Sequence, residues 1–576
     1  MKNKLEKLRF KNSTLLILLS FFTLFANNAH SGAVATATSW ATETAAEILH
    51  NGGNAVDATV AASFVLNVTQ PFNMGIGGGG FLLVSNNDKV NFFDSRETAP
   101  ASANPKMFLL PSGQPIPYFP ERVTGPNPVG IPGTLKGLYE VHTLYGKLPW
   151  ATLLQPAIRL AREGHPINHQ FDEAISDSWS RISSFLPTAL AYGDGHGSFI
   201  RFGQILKLPH LAATLETIAK KGANDFYEGE LARSWVSDAQ AMGVKITMGD
   251  LKNYTVSKPK PVDFNLLGLH GFTSTLPSAS GLMVAGTMRF LEYYYKKHLL
   301  PDPKSANRVI VTTEAMKYFQ TLRDKTIADV SYAILDPQTY LGSKDEKDAW
   351  NEINQRIKIR LQKIPFQVSN HQVKSMPMKK MLAVVAPRSH DHTTQLSIAD
   401  DHGMAVSYTT TIEQWFGSGL MVPTDGFLLN NELSDFDAEP GHPNSPAIGK
   451  RPRSNMSPLL FYESNKPSAL LVGVVGCAGG PYIPTSIVVF LENYYLYKMT
   501  AHEAVAFPRF HPDSDGETIE METFPDSTFN DLKTAEYKLD LSGGAWSALQ
   551  ALMRRNGQTS WEAVAEPRGD SLGLSW

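Results

Sequence analysis

The sequence predicts an α+β protein in which stacked β-sheets lie between helical layers. The chain has 576 residues, of which 42% are hydrophobic and 19% are charged, so it can bury a large core. Apolar residues recur at helical spacing in much of the chain before Thr393, whereas short strand-like runs dominate after it. A helix-rich half and a strand-rich half in one large chain favour sheets that are covered by helices.

Residues 1–31 have the layout of a secretory signal peptide. Five basic residues precede the apolar run 15–25, and the small-residue pattern Ala29-His30-Ser31 follows it. The alternative is an N-terminal membrane anchor, but eleven apolar residues are fewer than the ~20 that a spanning helix needs. We therefore predict cleavage after Ser31 and an exported protein, periplasmic or secreted, with no membrane association once the signal is removed.

Charge and cysteine content argue against several classes of protein. The formal net charge is −3 and no run of Lys or Arg occurs in the body of the chain, which argues against a nucleic-acid partner. Cys477 is the single cysteine, so the chain forms no internal disulfide. A catalytic cysteine in the glycine-rich stretch 476–480 is one interpretation of Cys477, and we favour the other, a small buried side chain after a strand.

The elements predicted before Thr393 begin with two helices. Residues 45–49 fit a helix that stops at Asn51-Gly52-Gly53, and a second helix follows an Asn54 cap. A glycine run at 75–80 then leads into a hairpin pattern, whose second strand delivers Asp94-Ser95-Arg96-Glu97. The long middle stretch, 126–360, is mostly helical in pattern.

The elements predicted after Thr393 are mostly short strands. They are followed by a helix at 485–497 and by another that begins with a capping box of Thr500 and Glu503. The predicted strands are residues 395–399, 404–410, 426–429, 459–462 and 469–475.

Two motifs raise the question of a cofactor or a metal ion. Gly75, Gly77 and Gly80 satisfy the G-x-G-x-x-G dinucleotide fingerprint, but the run follows a helical pattern and opens a strand rather than a helix. The tract His390-Asp391-His392 has no further His or Cys cluster at ligand spacing. We therefore predict no cofactor and no metal, and we attribute the glycines to close backbone packing.

Thr393 is the residue at which we expect the chemistry. A threonine hydroxyl needs an adjacent base to act as a nucleophile. If the peptide bond between His392 and Thr393 is cleaved, Thr393 gains a free α-amine, whose ordinary pKa of about 7.7–8.0 makes it an effective base near neutral pH. Gly479-Gly480, which follows the apolar run 469–475, can present two backbone N–H groups to a tetrahedral oxyanion.

Eight short motifs are spread over nearly all of the predicted mature sequence. They are Gly52-Gly53-Asn54-Ala55-Val56-Asp57-Ala58, Gly75-Ile76-Gly77-Gly78-Gly79-Gly80-Phe81, Arg96-Glu97-Thr98-Ala99-Pro100, Gly130-Ile131-Pro132-Gly133-Thr134, Leu429-Asn430-Asn431-Glu432, Lys450-Arg451-Pro452, Met456-Ser457-Pro458 and Pro567-Arg568-Gly569-Asp570. In this order they resemble the γ-glutamyltransferases. The resemblance implies a four-layer αββα N-terminal-nucleophile fold. It also implies self-cleavage into a large subunit, residues 32–392, and a small catalytic subunit, residues 393–576, which stay together as a heterodimer.

The resemblance also implies roles for individual residues. Those assigned to catalysis are Thr393 as the nucleophile, Thr411 beside it, and Gly479 and Gly480 as the oxyanion hole. Those assigned to the donor are Arg96, Ser454 and Asn455 for its α-carboxylate, and Glu413, Glu432 and Asp435 for its α-ammonium. Arginine suits the carboxylate because its guanidinium can donate two parallel hydrogen bonds.

Three positions depart from the pattern that is common in the resembled family. Gln395 stands in place of His, Glu413 in place of Asn, and Asn455 in place of the second Ser of a Ser-Ser pair. The change at Glu413 would place three carboxylates around one ammonium. Such crowding should raise at least one pKa or recruit a basic partner.

The segment before Lys450-Arg451-Pro452 is short. In some members of the resembled family, a long loop at this point folds over the bound donor as a lid. Residues 442–449 extend at most ~26–29 Å and must also connect two core strands. We therefore predict a donor site that is open to solvent.

Three functions remain open at this point. The leading hypothesis is transfer or hydrolysis of the γ-glutamyl group of glutathione-like amides, with water or an amine as the acceptor. A second keeps the nucleophile but changes the acyl group, as in cephalosporin-acylase-like or polyglutamate-cleaving relatives. A third is an uncleaved, exported binding protein without catalysis. Two bands on a denaturing gel would exclude the third, and a comparison of γ-glutamyl and glutaryl amides would separate the first two.

Overall fold

The structure is a computed structural model that describes residues 32–86, 89–278, 280–364, 392–466, 468–513, 516–541, 547–555 and 557–576. The predicted signal peptide lies outside the described residues, as do His390 and Asp391. None of the helices in these ranges combines the length and the hydropathy of a bilayer-spanning segment.

Side-chain caps define where several helices begin. The predicted Asn54 cap is confirmed, because its side chain accepts the Asp57 N–H at 3.0 Å and Asp57 accepts the Asn54 N–H at 3.1 Å. The predicted capping box of Thr500 and Glu503 is present as well. The helices are α1 Ser39–His50, α2 Ala55–Thr69, α3 Thr134–Tyr145, α4 Trp150–Glu163, α5 His169–Ile182, α6 Leu186–Tyr192, α7 Pro209–Lys221, α8 Asn224–Glu228, α9 Glu230–Ala241, α10 Met248–Asn253, α11 Ser280–Tyr295, α12 Ala306–Thr326, α13 Pro337–Tyr340, α14 Lys344–Leu361, α15 Tyr482–Leu491, α16 Ala501–Ala506 and α17 Asp526–Thr534.

In the ranges that the structure describes, the strands form two six-stranded sheets and two small ones. They are β1 Ala33–Thr36, β2 Gly79–Asn86, β3 Lys89–Asp94, β4 His165–Pro166, β5 Ile205–Leu206, β6 Val262–Leu266, β7 Leu269–Thr273, β8 Thr394–Ala399, β9 Ala405–Thr411, β10 Leu459–Tyr462, β11 Leu471–Ala478, β12 Phe510–Pro512, β13 Thr518–Met521, β14 Lys538–Asp540, β15 Ala548–Met553, β16 Glu562–Ala565 and β17 Leu572–Ser575. The first large sheet has the order β17-β1-β8-β9-β2-β3 and the second β16-β15-β11-β10-β7-β6.

Alternation along the strands divides the core into two parts. In β2, Leu82 and Val84 belong to a core shared with α1 to α5, whereas Phe81 and Leu83 belong to a second core. The second core contains residues of the second sheet and of α11, α12 and α15. The layers therefore run helix, sheet, sheet, helix, which is the predicted α+β class in its four-layer αββα form.

One predicted strand is wrong and one hairpin was missed. Residues 426–429 form no strand, and an isolated bridge joins Met421 to Leu428. Gly426 takes a φ of 70° there, which turns the chain. Within the mostly helical middle stretch, β6 and β7 form a hairpin at the edge of the second sheet. Their alternating burial is a strand signal.

Antiparallel pairing brings distant segments to one end of the first sheet. Thr394 at the start of β8 pairs with Thr410 near the end of β9, and Thr411 pairs with Gly79 at the start of β2. The end of β3 pairs next to the start of β2. The residues that precede β8 and follow β3, β9 and β11 can therefore form one site.

Candidate active site

Thr393 directly precedes β8 and is 5% exposed. Its Oγ1 donates to Thr411 Oγ1 at 3.2 Å. The Thr411 hydroxyl is held in turn, because its oxygen accepts the Glu413 N–H at 2.9 Å. The structure therefore brings the predicted nucleophile together with its predicted neighbour at the ends of two paired strands.

The backbone at Thr393 is strained. Its φ is 96°, in a region that β-branched residues rarely adopt. Such a conformation costs about 1–3 kcal/mol and persists when the surroundings hold it in place. Cleavage of the bond before Thr393 would release this strain, because φ at a free N-terminus no longer depends on a preceding peptide.

The carbonyl group of His392 is held by a backbone donor. The Gly479 N–H donates to the His392 carbonyl oxygen at 2.9 Å. The His392 ring is held too, since its Nδ1 accepts the Trp415 N–H at 3.1 Å. Among the described residues the Gly480 N–H has no acceptor. The first of the two predicted oxyanion donors thus already contacts the bond that we expect to break.

Arg96 follows β3 and is 1% exposed. Its guanidinium donates to Glu432 and, at 2.6 Å, to Asp435. It also donates to the carbonyl oxygens of Pro452 and Arg453, at 3.2 and 2.8 Å. The carboxylates assigned to the α-ammonium therefore pair with the guanidinium assigned to the α-carboxylate. A zwitterionic donor would replace these ion pairs: its carboxylate would bind Arg96, and its ammonium would bind the two carboxylates.

Glu413, Glu432 and Asp435 form a cluster that we call the acidic group. It shows both effects that crowding predicts, a raised pKa and a basic partner. Burial raises the pKa of Glu413 well above its ordinary value, and Asp435 and Glu432 raise it further. Burial also raises the pKa of Glu432 to about 7, although Arg96 opposes this shift. Arg96 is the recruited basic partner. At least one of these carboxyl groups therefore titrates in the physiological range.

Glu413 itself occupies an unfavourable backbone region. Its φ is 76°, and asparagine adopts such conformations more readily than glutamate does. This is a physical reason for the Asn that is common at the position in the resembled family. The Glu413 side chain is held by Tyr118, whose hydroxyl donates to Oε1 at 3.1 Å.

Glu97 is a buried carboxyl group that the sequence analysis did not assign to the site. Among the described residues no N–H or hydroxyl group donates to its oxygens, and its hydrogen-bond partner is the carboxyl group of Glu432. Burial and the neighbouring Glu432 raise its pKa well above the ordinary value, against the opposing effect of Arg96. A Cβ at Gly79 would meet its carboxylate, which explains one glycine of the run. The available signal was its position directly after Arg96 at the end of β3.

The predicted carboxylate pocket contains a second guanidinium. Ser454 is 3% exposed and its Oγ accepts the Met456 N–H at 3.1 Å. Asn455 accepts a hydrogen bond from Arg323 of α12 through its Oδ1. The sequence offered no signal for Arg323, since it stands in an ordinary charged stretch near the end of a helix.

Comparison of the whole chain decides the family. The family model described as Gamma-glutamyltranspeptidase matches residues 41–576. The chain belongs to this family. It is an enzyme. A glutathione hydrolase proenzyme of Bacillus subtilis (strain 168) is 33% identical over 560 residues, which cover 94% of this chain and 92% of that protein. A glutathione hydrolase proenzyme of Escherichia coli (strain K12) is 32% identical over 496 residues, covering 84% and 81%.

Two solved structures support the fold of this γ-glutamyltranspeptidase family member. A cephalosporin acylase from Bacillus halodurans superimposes with a TM-score of 0.80 at 23% identity, covering 95% of this chain and 96% of that one. The γ-glutamyltranspeptidase of Helicobacter pylori has a TM-score of 0.52 at 27% identity, covering 58% and 91%. The predicted N-terminal-nucleophile fold is confirmed.

Gln395, which replaces the common His of the γ-glutamyltranspeptidases, lies between the two sheets. Its Nε2 donates to Ser397 and Ser407, both at 3.1 Å, and its Oε1 accepts from Thr409 at 2.6 Å. Ser407 in turn donates to the Val475 carbonyl of the second sheet. This departure therefore lies in the polar core between the two sheets. Cys477 is likewise fully buried in β11.

Residues 118–122, and not the short stretch before Lys450, lie at the rim of the site. The short stretch before Lys450 folds back, because Lys450 Nζ donates to the carbonyl oxygens of Pro443 and Ser445 at 2.6 and 2.8 Å. Tyr118, which is 43% exposed, instead reaches Glu413 from residues 118–122. No sequence pattern indicated that this segment lies near the predicted donor site.

Proposed function

We propose that this chain is an exported γ-glutamyltransferase and hydrolase that cleaves itself before Thr393. The mature enzyme would cleave γ-glutamyl amides such as glutathione through a γ-glutamyl ester on Thr393 and pass the acyl group to water or an amine. The observation that carries the proposal is the arrangement at the predicted cleavage point. A strained residue presents its hydroxyl to Thr411 while Gly479 holds the preceding carbonyl group.

Self-cleavage follows from this geometry as an acyl shift. Thr393 Oγ1 adds to the His392 carbonyl carbon, its proton moves toward Thr411, and the Gly479 N–H stabilises the oxyanion. The C–N bond breaks and the Thr393 nitrogen takes the proton, which leaves an ester between His392 and Thr393. Water hydrolyses that ester to a His392 carboxylate and a free Thr393 hydroxyl and α-amine.

Turnover uses the same atoms with the new α-amine as base. The amine takes the hydroxyl proton while Thr393 Oγ1 attacks the γ-carbonyl carbon of the donor. Gly479 and Gly480 donate to the oxyanion, the amide C–N bond breaks, and the α-ammonium of Thr393 gives its proton to the departing amine. Water or a second amine then attacks the γ-glutamyl ester and restores the Thr393 hydroxyl. These steps balance without a metal ion or a cofactor.

The two fragments of the cleaved chain would remain associated. In the first sheet, β1 from the large fragment lies between β8 and β17 from the small one. In the second sheet, β7 from the large fragment pairs with β10 from the small one. Separation would expose both apolar cores to water. We therefore propose a heterodimer that dissociates only on unfolding, exported by the signal at residues 1–31.

The acidic group favours γ-glutamyl donors over those of an acylase. A glutaryl amide keeps the carboxylate of a γ-glutamyl amide but lacks its α-ammonium. The carboxylates of Glu432 and Asp435, which both pair with the cation of Arg96, would attract that ammonium.

The test compares kcat/KM for matched γ-glutamyl and glutaryl anilides on the purified protein, together with a denaturing gel. We expect two bands and at least a ~tenfold preference for the γ-glutamyl donor, about 1.4 kcal/mol. A preference for the glutaryl donor would support the acylase alternative. A single band without turnover of either donor would support the binding-protein alternative.

Acidification is expected to reduce the preference for γ-glutamyl over glutaryl donors. Glu432, whose pKa is raised to about 7, attracts the α-ammonium only when it is ionised. The preference should therefore be largest well above pH 7, be about half lost near pH 7, and fall further as the pH drops. The ratio of the two kcat/KM values is the measurement, because ionisation of the Thr393 amine affects both donors alike.

Glu432→Gln is the matched control for this pH dependence. It should show a low ratio at every pH, because an amide cannot ionise. A wild-type ratio that stays constant from about pH 5.5 to about pH 8.5 would contradict the assignment of Glu432 to the ammonium.

Long γ-linked glutamate oligomers are expected to be cleaved as well as short dipeptides. Because the segment before Lys450 folds back on itself, we expect that it does not cover the donor site, and lids normally exclude bulky donors and water. The measurement is turnover of a γ-glutamyl dipeptide and of a long oligomer by the same enzyme. Exclusion of the oligomer that is relieved by Tyr118→Ala would show that Tyr118 closes the site instead.

A further inference from the structure

Arg323 is a buried guanidinium that the proposed reaction does not yet use. It lies near the end of α12 and is 8% exposed. Its Nε donates to Asp324 Oδ1 at 2.9 Å, and its Nη1 donates to Asn455 Oδ1. The neighbouring Arg453 carbonyl accepts from Arg96 at 2.8 Å. Arg323 and Arg96 therefore hold the same short segment of the predicted carboxylate pocket.

The contact with Arg323 determines which way the Asn455 amide faces. An amide has one acceptor oxygen and an NH₂ group with two donor hydrogens, whereas a guanidinium only donates. Of the two ends of the Asn455 amide, only Oδ1 can accept a hydrogen bond from Arg323. Nδ2 therefore points away from Arg323. Asn455 is half-buried, and its Nδ2 donates to none of the residues that the structure describes. Both N–H groups are available to a ligand.

We propose that Arg323 is a positioning residue for the α-carboxylate of the donor. It locks Asn455 so that Nδ2 offers two N–H donors in place of the serine hydroxyl that is common in the family. An amide rotated by half a turn would present its oxygen and repel the same carboxylate. The inference rests on the proposed function, since it concerns the donor of that reaction.

The charges around the segment suit this role. Arg453 forms ion pairs with Asp324 at 3.6 Å and with Asp437 at 3.4 Å. Asp324 also pairs with Arg323 at 2.8 Å. Asp324 and Asp437 thus hold the guanidinium groups of Arg323 and Arg453 in place through ion pairs. A carboxylate would therefore meet the Asn455 amide with positive charge close by.

Arg323→Met tests the proposal with two matched donors. A 4-aminobutyryl anilide has the amino group and chain length of a γ-glutamyl anilide but lacks the α-carboxylate. The substitution should raise KM for the γ-glutamyl anilide about tenfold, the order expected when a hydrogen bond to a charged group is lost, with little change in kcat. It should leave kcat/KM for the 4-aminobutyryl anilide unchanged. Arg323→Lys, which keeps the charge but not the planar group, should lie between.

A double-mutant cycle with Asn455→Ser shows whether Arg323 acts through Asn455. If it does, Arg323→Met should change KM for the γ-glutamyl anilide little in the Asn455→Ser background, where the amide is absent. An equal loss in both backgrounds would overturn the positioning role and leave an effect of charge at a distance.

Failure of this inference is distinguishable from failure of the proposed function. A wild-type enzyme that does not turn over the γ-glutamyl anilide would refute the proposed function itself. If the wild type is active but Arg323→Met lowers kcat/KM for both donors equally, Arg323 only supports the fold. That result would overturn the inference. Two-band maturation and the thermal midpoint report the folding of each variant, and Arg323→Lys carries the test if the Met variant does not mature.

Discussion

Thr393→Ala is expected to remain a single chain and to lose its turnover of γ-glutamyl donors. The substitution removes the hydroxyl that donates to Thr411, so neither the acyl shift nor the later attack on a donor has a nucleophile. Without cleavage, position 393 also gains no free α-amine to act as base. The loss should be on the order of 10⁶-fold in kcat, as for other covalent nucleophiles. A denaturing gel and a donor assay measure the two effects.

Thr393→Ser and Thr394→Ser are the matched controls. The first keeps a hydroxyl at the nucleophile and should still mature, more slowly if strain at Thr393 promotes cleavage. The second removes only the methyl group of the adjacent threonine and keeps the hydroxyl that donates to Gln70, so it should mature normally. N-terminal sequencing of the small wild-type fragment should begin Thr393-Thr394-Gln395. Any other start, or a cleaved Thr393→Ala chain, would refute the assignment.

Arg96→Ala is expected to weaken the use of γ-glutamyl donors by about 10²–10³-fold in kcat/KM. Removing one partner of a buried ion pair typically costs about 3–5 kcal/mol, and each 1.4 kcal/mol is about tenfold. Arg96 lowers the pKa of Glu432 and of Glu97. In the variant Glu432 should therefore stay protonated to higher pH, so both charges of the donor lose their partners.

Arg96→Lys separates charge from geometry. A lysine keeps the positive charge but cannot contact two carboxylates and two carbonyl oxygens at once, so an intermediate loss is expected. Maturation into two bands should survive in both variants, because Arg96 does not contact Thr393. A wild-type KM for the γ-glutamyl donor in Arg96→Ala would rule out Arg96 as the carboxylate clamp.

The class of fold, the family and most of the helices and strands near the site could be predicted from the sequence. The change of pattern at Thr393 indicates where the strand-rich half begins, and eight ordered motifs carry the resemblance. Local signals were reliable where local forces decide. The Asn54 cap and the Thr500–Glu503 capping box depend on hydrogen bonds within one turn. The predicted strand at 426–429 failed because its apolar residues pack in a turn around Gly426.

Tertiary structure alone decided which charges meet. Arg96 and Glu432 are more than three hundred residues apart, and only the pairing of β2, β3 and β9 brings their segments together. Arg323 and Asn455 are 132 residues apart and also meet only in the folded chain, where a charge on a helix reaches a loop. Periodicity reports which face of an element is buried, but not which distant element covers that face. Electrostatic interactions and pKa shifts depend on those distances and on burial, so they follow from the fold and not from residue spacing.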